Sequence, residues 1–165
     1  MTPEILLDEL EEFARFHTKD IMLEVRVKRG TESTDDKRRA ANIFQQDFPE
    51  PDDKTQKIPY ILIQLLTGTD DWKPGQEPES ECQIRMVFAT YSENGSKGAA
   101  DLLHLILKVK NELEAAGEVG GNQFLLLYPV EYLIYPDKTP PYHIGEMITK
   151  WSLPAIEREV TDVWQ

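Results

Sequence analysis

The sequence predicts an α+β domain: a mostly antiparallel sheet with two main helices packed on one face. Two observations carry this. Apolar runs of strand character follow one another in the chain, and only two stretches, about 3–16 and 98–116, place apolar residues at helical spacing. Strand runs in succession with so few helices fit a sheet covered by a helical layer better than a repeating strand–helix alternation. The 165 residues are read as a single domain, 1–165. A chain near that size buries roughly 68–70% of its unfolded surface, so its core needs no disulfide or metal.

Each element has its own signal. Thr2-Pro3 starts the first helix, because threonine can cap and proline is tolerated in the first turn. Leu6, Leu10 and Phe13 then repeat at helical spacing. Leu23, Val25 and Val27 alternate with Glu24, Arg26 and Lys28, a short amphipathic strand that stops at Gly30. Residues 31–57 are a long polar excursion, with one helical turn predicted at Ala40–Phe44. YILIQLL, from Tyr60, reads as a strand covered on both faces. TGTDDWKPGQEPESE reads as a loop, by its glycines and prolines. In CQIRMVFATY, Cys82, Ile84, Met86 and Phe88 share one face, and Gln83 and Arg85 the other. The turn SENGSKG, with Ser96 as expected cap, leads into the helix carrying Leu102, Ile106, Val109 and Leu113. Gly117 is its expected stop. FLLLY and VEYLIY, broken by Pro129, suit one bent strand or two. PPYHIGEMITKWSLP is the last strand, followed by a short arm at about 155–165.

Composition narrows the classes of function. Hydrophobic residues make up 40% and charged residues 29%, ordinary for a globular protein. The single cysteine, Cys82, excludes an internal disulfide framework and fits a reducing cytoplasm. The acidic N-terminus is not a signal peptide, and no apolar run approaches the ~18 residues of a membrane span. The net charge of −12 argues against a surface that wraps duplex DNA, which demands many Lys or Arg contacts to phosphate. The charge is also uneven. Positions 24–39 hold six bases and four acids, whereas positions 70–81 hold five acids and one base.

Candidate chemical sites fail on spacing. His143 and Glu146 are three apart on a strand, which puts them on opposite faces and prevents joint ligation of a metal. His17, His104 and His143 share no metal-like spacing. Asp70-Asp71 offers too few converging oxygens for a hard cation. ENGSKGAAD joins a strand to a helix N-terminus, but its Ser-Lys order departs from the phosphate-loop pattern. The expectation is no catalytic residue, no metal and no cofactor. Trp151, between Met147 and Leu153 on one strand face, is expected to be critical to the fold.

The segments IPYILIQLLTGTDD, ECQIRMVFATYSENGSKGAADLLHLILKVKNEL, FLLLYPVEYLIYPD and PPYHIGEMITKWSLPAIEREV together resemble the tail-terminator (tail-completion) proteins of long-tailed phages and prophages. The likeness covers about 100 of the 165 residues. Its closing motif contains Tyr142, Gly145 and Trp151, which are therefore read as fold-critical. The excursion at 31–57 has no counterpart. The resemblance implies a tail-tube-like sheet fold and a ring of copies, usually six, on the head-proximal end of the tail tube. Such a ring stops tube polymerisation and offers a surface to the head–tail connector or neck protein. It implies a place in the virion tail after assembly in the host cytoplasm, no membrane partner, and DNA only as cargo passing through the lumen. A net negative lumen would keep that passage free of phosphate contacts. A ring needs two different complementary surfaces. Arg26, Lys28 and Arg29 on one side, and Asp70, Asp71, Glu77 and Glu79 on the other, are the candidates. Two rival readings stand beside this one: an acidic DNA-mimic inhibitor, motivated by the charge, and a small phosphate-binding enzyme, motivated by ENGSKGAAD.

Overall fold

The structure, a computed structural model, describes residues 2–26, 38–50, 57–137 and 139–157. Helix α1 (Pro3–Thr18) is followed by the short strands β1 (Leu23–Glu24), β2 (Arg38–Arg39) and β3 (Asn42–Gln45). Two long strands, β4 (Tyr60–Asp71) and β5 (Glu79–Tyr91), precede helix α2 (Gly95–Ala116). Then come β6 (Glu118–Val119), β7 (Phe124–Ile134) and β8 (Tyr142–Leu153). The main sheet runs β3-β4-β5-β8-β7-β6, antiparallel except for the β3–β4 pair, while β1 and β2 pair separately. The α+β expectation holds. No described helix is long and apolar enough to cross a membrane.

Both helices bury their apolar stripes on the same sheet face. Leu6, Leu10 and Ala14 of α1, and Leu102, Leu105, Ile106 and Val109 of α2, close over Ile61, Ile63, Ile84, Met86, Phe88, Met147 and Trp151 in one core. The alternation read from CQIRMVFATY is the cause, since strand period 2 delivers every second side chain to that face. Trp151 lies at its centre, fully buried, and its Nε1 donates to Thr149 Oγ1 at 2.9 Å. Thr149 Oγ1 in turn lies 3.4 Å from the Ile84 carbonyl. The one polar atom of the tryptophan is thereby satisfied inside the core.

Several local expectations are corrected. Ala40–Phe44 makes no helical turn: Asn42–Gln45 is a strand parallel to β4, register Asn42↔Tyr60. Tertiary pairing overrode a weak local preference there. The first strand shortens to Leu23–Glu24, with Val27 outside the described residues. The cap of α2 is Asn94, not Ser96; its side chain accepts from the Lys97 backbone N–H at 3.2 Å, which starts the helix at Gly95. Thr2 stands at the N-cap of α1 in extended geometry without a side-chain bond, so Pro3 carries the start. Gly117 ends α2 as expected, with φ 70° and its N–H bonded to the Leu113 carbonyl. FLLLY and VEYLIY form one strand, irregular between Leu127 and Glu131 where Pro129 sits. The two residues of β6 were not anticipated.

Candidate assembly surfaces

The stretch expected to be an acidic loop is largely strand. β4 and β5 stay paired out to Asp71↔Glu79, past a register shift between Leu65 and Thr67. Beyond that shift every residue from Leu66 to Glu77 is exposed, although Cys82, the partner of Gly68, is still in the core. At roughly 3.3 Å per residue, the five positions Thr67–Asp71 extend the hairpin by about 17 Å. The result is an arm with Trp72, 49% exposed, near its tip. Asp70, Asp71, Glu77 and Glu79 are all exposed on it. Ser80 Oγ donates to Asp70 at 2.5 Å, and Glu81 pairs with Lys150 of β8 at 2.8 Å.

Of the basic stretch, the described residues Arg26, Arg38 and Arg39 lie at the other end of the sheet. Arg26 follows β1 and donates to the Tyr142 hydroxyl at 3.1 Å, where Tyr142 pairs with Tyr91 at the start of β8. Arg38 is exposed on β2, and Arg39 is half-buried. Arg39 donates to the carbonyls of Ile58 (3.1 Å), Ala40 (3.2 Å) and Pro59 (3.4 Å), and burial lowers its pKa from the ordinary value. Beside it Phe44, Phe48 and Tyr60 form an aromatic cluster, with the Lys57 ammonium 4.8 Å from the Phe48 ring centre. This end also holds Glu24, which accepts from Ser92 Oγ at 2.8 Å. Lys28 and Arg29 lie outside the described residues. Thirteen residues of β5 separate the two ends, about 40 Å of extended chain. The fold therefore does not bring Arg26 against Asp70, Asp71, Glu77 or Glu79 within one chain. It holds the described bases Arg26, Arg38 and Arg39 and those four acids at opposite ends of the sheet, where a contact between them falls between molecules.

The fold-critical candidates are spread along β8, a central strand of that sheet. Gly145 is buried where β8 passes β7, and an added Cβ would stand 2.8 Å from the Leu133 carbonyl oxygen. Tyr142 is half-buried and its ring meets that of Tyr91 at a tilt of 55°, centres 5.8 Å apart. His143 and Glu146 face opposite sides, as their spacing requires. His143 packs under Gly98 of α2, whose absent Cβ makes the room, and its Nε2 is buried without a hydrogen-bond partner. A groove of about 490 Å³ opens beside it between the start of α2 and the β7–β8 connection. Glu146 instead accepts from the Tyr135 hydroxyl at 3.0 Å. Burial first, then that carboxylate, pushes the Tyr135 pKa up.

Among the described residues no group of three or more His, Cys, Asp or Glu side chains converges on a metal-sized site. Cys82 is buried and its thiol is pushed up to about 11 by burial, the opposite of an activated nucleophile. Sequence reasoning missed two features of these surfaces. One is the arm, whose β-branched Thr67 and Thr69 were the available sign of continuing strand. The other is the outer edge of β7, unpaired at 130–134 among the described residues, whose apolar run was indistinguishable from a buried strand.

No family model matches this chain, and no curated protein matches it. One of the solved structures that align with it covers 96% of this chain and 99% of its own, at 12% identity and a TM-score of 0.48.

Proposed function

We propose that this protein is a structural tail terminator. It forms a ring on the head-proximal end of a phage tail tube, stops tube growth and joins the tail to the head connector. Two lines support the reading. The motif that resembles the family, Pro141 to Pro154, supplies β8, a central strand of the sheet. The observation that carries the assembly part is the placement of the acidic arm and the Arg26–Arg39 end at opposite ends of the molecule. A ring is built from heterologous contacts, in which one surface of a subunit meets a different surface of the next. Exposed ion pairs contribute only about 0–1 kcal/mol each, so the charges set register and encounter rate. Apolar contacts supply the affinity, and no chemical step is asked of the protein.

The decisive experiment pairs genetics with polymerisation. Tail-tube protein assembling in vitro is expected to stop lengthening when this protein is added, and electron microscopy is expected to show a ring at one tube end. A phage lacking the gene is expected to accumulate filled heads and unjoined tails, restored by the wild-type chain. Normal virion yield from the deletion overturns the proposal.

A further inference from the structure

The proposed ring leaves open which surfaces join its copies, and the sheet edges bear on this; the argument that follows rests on the ring reading. Past the irregularity at Pro129, β7 pairs with β8 on one side, from Glu131↔Ile148 to Ile134↔Gly145. β6 covers its other side only at Phe124 and Leu125. No strand among the described residues pairs with the outer side of residues 130–134.

The hydrogen-bond phase of that edge can be read. Tyr135 N–H donates to the Ile144 carbonyl at 3.1 Å. In an antiparallel pair, bonded residues alternate, so Leu133 and Glu131 also face β8. Tyr132 and Ile134 then point their N–H and C=O groups outward. The side chains here are unusually apolar for a free edge: Tyr128 is 65% exposed, Tyr132 47%, Leu133 51% and Ile134 40%. Edges that must stay single are normally blunted by Lys, Pro or a bulge. Between Val130 and Ile134 this strand has none of these, and Glu131 is its one charge.

The opposite edge of the sheet is β3. Asn42 and Gln46 donate their N–H groups to the Pro59 and Ile63 carbonyls of the β4 side, at 2.9 and 2.8 Å. Alternation then turns the backbone groups of Ala41 and Ile43 outward. β3 runs parallel to β4, and three antiparallel steps lead from β4 to β7. β7 is therefore antiparallel to β3. A copy displaced sideways within the sheet presents its β3 to β7 in the antiparallel sense.

We infer that β7 of one copy pairs edge to edge with β3 of a second copy, Tyr132 opposite Ile43 and Ile134 opposite Ala41. In this register the outward groups of all four residues meet. Tyr132 and Ile134 also share the helix-side face with Ile43, as their partners Met147, Gly145 and Ile61 show. The exposed tyrosine and isoleucine are thereby covered by the partly buried Ile43 and Ala41 of the neighbour. Because the two edges differ, the contact is heterologous and continues from copy to copy.

The test uses the full chain and two variants. Tyr132→Pro removes one outward N–H and no bond to β8; proline is tolerated on edge strands. Leu133→Lys keeps every backbone group and adds a charge at a side chain that is already half exposed. Sedimentation across concentration, with amide exchange by NMR, reads the outcome. The wild type is expected to exceed dimer mass, with exchange slowed at Tyr132, Ile134 and Ile43. Each variant is expected to keep a folded circular dichroism spectrum and to weaken association by about tenfold or more. Should Tyr132→Pro fail to fold, Leu133→Lys decides. The pairing is overturned by variants that assemble like the wild type, by a wild type that stays monomeric, by an assembly that closes at two copies, or by protection at β7 without Ile43. Variants that still cap tail tubes overturn the edge pairing and leave the ring reading standing, whereas a wild type that caps no tubes overturns the ring reading itself.

Discussion

Along β5 the same backbone serves two purposes. From Cys82 to Tyr91 it is core: Cys82, Ile84, Met86 and Phe88 are nearly inaccessible, and β8 flanks it throughout. From Glu79 to Glu81 it belongs to the arm, paired with Thr69, Asp70 and Asp71 and bearing acids. Hydrogen bonding continues across the boundary without a break in the strand. What changes is burial: Cys82, Ile84, Met86 and Phe88 lie in the core, whereas Glu79, Ser80 and Glu81 stay exposed or half-exposed. Side-chain cover, rather than pairing, separates the part that stabilises the fold from the part available to a partner.

This comparison predicts a gradient of mutational effects. The largest loss is expected at Trp151. Trp151→Ala removes a fully buried indole and should cost about 3–5 kcal/mol in urea unfolding; a loss below about 1 kcal/mol would mean that the surroundings of the indole do not hold the core. Gly145→Ala should come next. Its methyl would press on the Leu133 carbonyl, backbone that cannot rotate away, so β7 must shift at a cost of about 1–3 kcal/mol. An unchanged midpoint would show that the β7–β8 crossing yields easily.

In the arm the sign of the comparison reverses. Replacing Asp70 and Asp71 with Lys should change stability by no more than about 0.5 kcal/mol, yet impair assembly most at low salt, where surface charges are least screened. Reversing Arg26, Lys28 and Arg29 to Glu should likewise leave the monomer folded and reduce tail joining. Normal virion yield from either variant removes that region from the interface.

A separate effect is confined to alkaline pH. The folded-state pKa of Cys82 is raised to about 11, above its unfolded value of roughly 8.5. Its neutral form is favoured by folding, so its contribution is intact below about 8.5 and is lost as pH climbs toward 11. The melting temperature of Cys82→Ala, though lower at pH 7, should therefore fall less steeply than that of the wild type across this alkaline window. Parallel slopes would place the alkaline loss elsewhere, with Tyr91 and Tyr135, whose pKa values are also raised by burial, the next groups to test.

Much of the core was legible because periodicity is a local property with a global consequence. The alternation in CQIRMVFATY and the leucine spacing of α2 each name a buried face before any partner is known, and Met147, Trp151 and Leu153 fall inside as their parity requires. The opposite facing of His143 and Glu146 followed from the same parity. Gly117 was legible because a left-handed helix end favours glycine. What the local pattern lacked was neighbours. YILIQLL and VEYLIY look alike in composition, yet among the described residues Tyr60–Ile63 pairs on both sides and 131–134 on one. Asn42–Gln45 becomes a strand only because Tyr60–Ile63 lies beside it. The arm is strand because Thr69–Asp71 and Glu79–Glu81 pair with each other, although Gly68 and the acids argue for a loop when each stretch is taken alone. Charge shows the same division: the sequence determined that bases cluster near 26–39 and acids near 70–81, while only the strand order placed the described bases, Arg26, Arg38 and Arg39, at the end opposite the acids. Side-chain preference is encoded residue by residue, but strand pairing, and with it the identity of edges and ends, is settled by segments far apart in the chain.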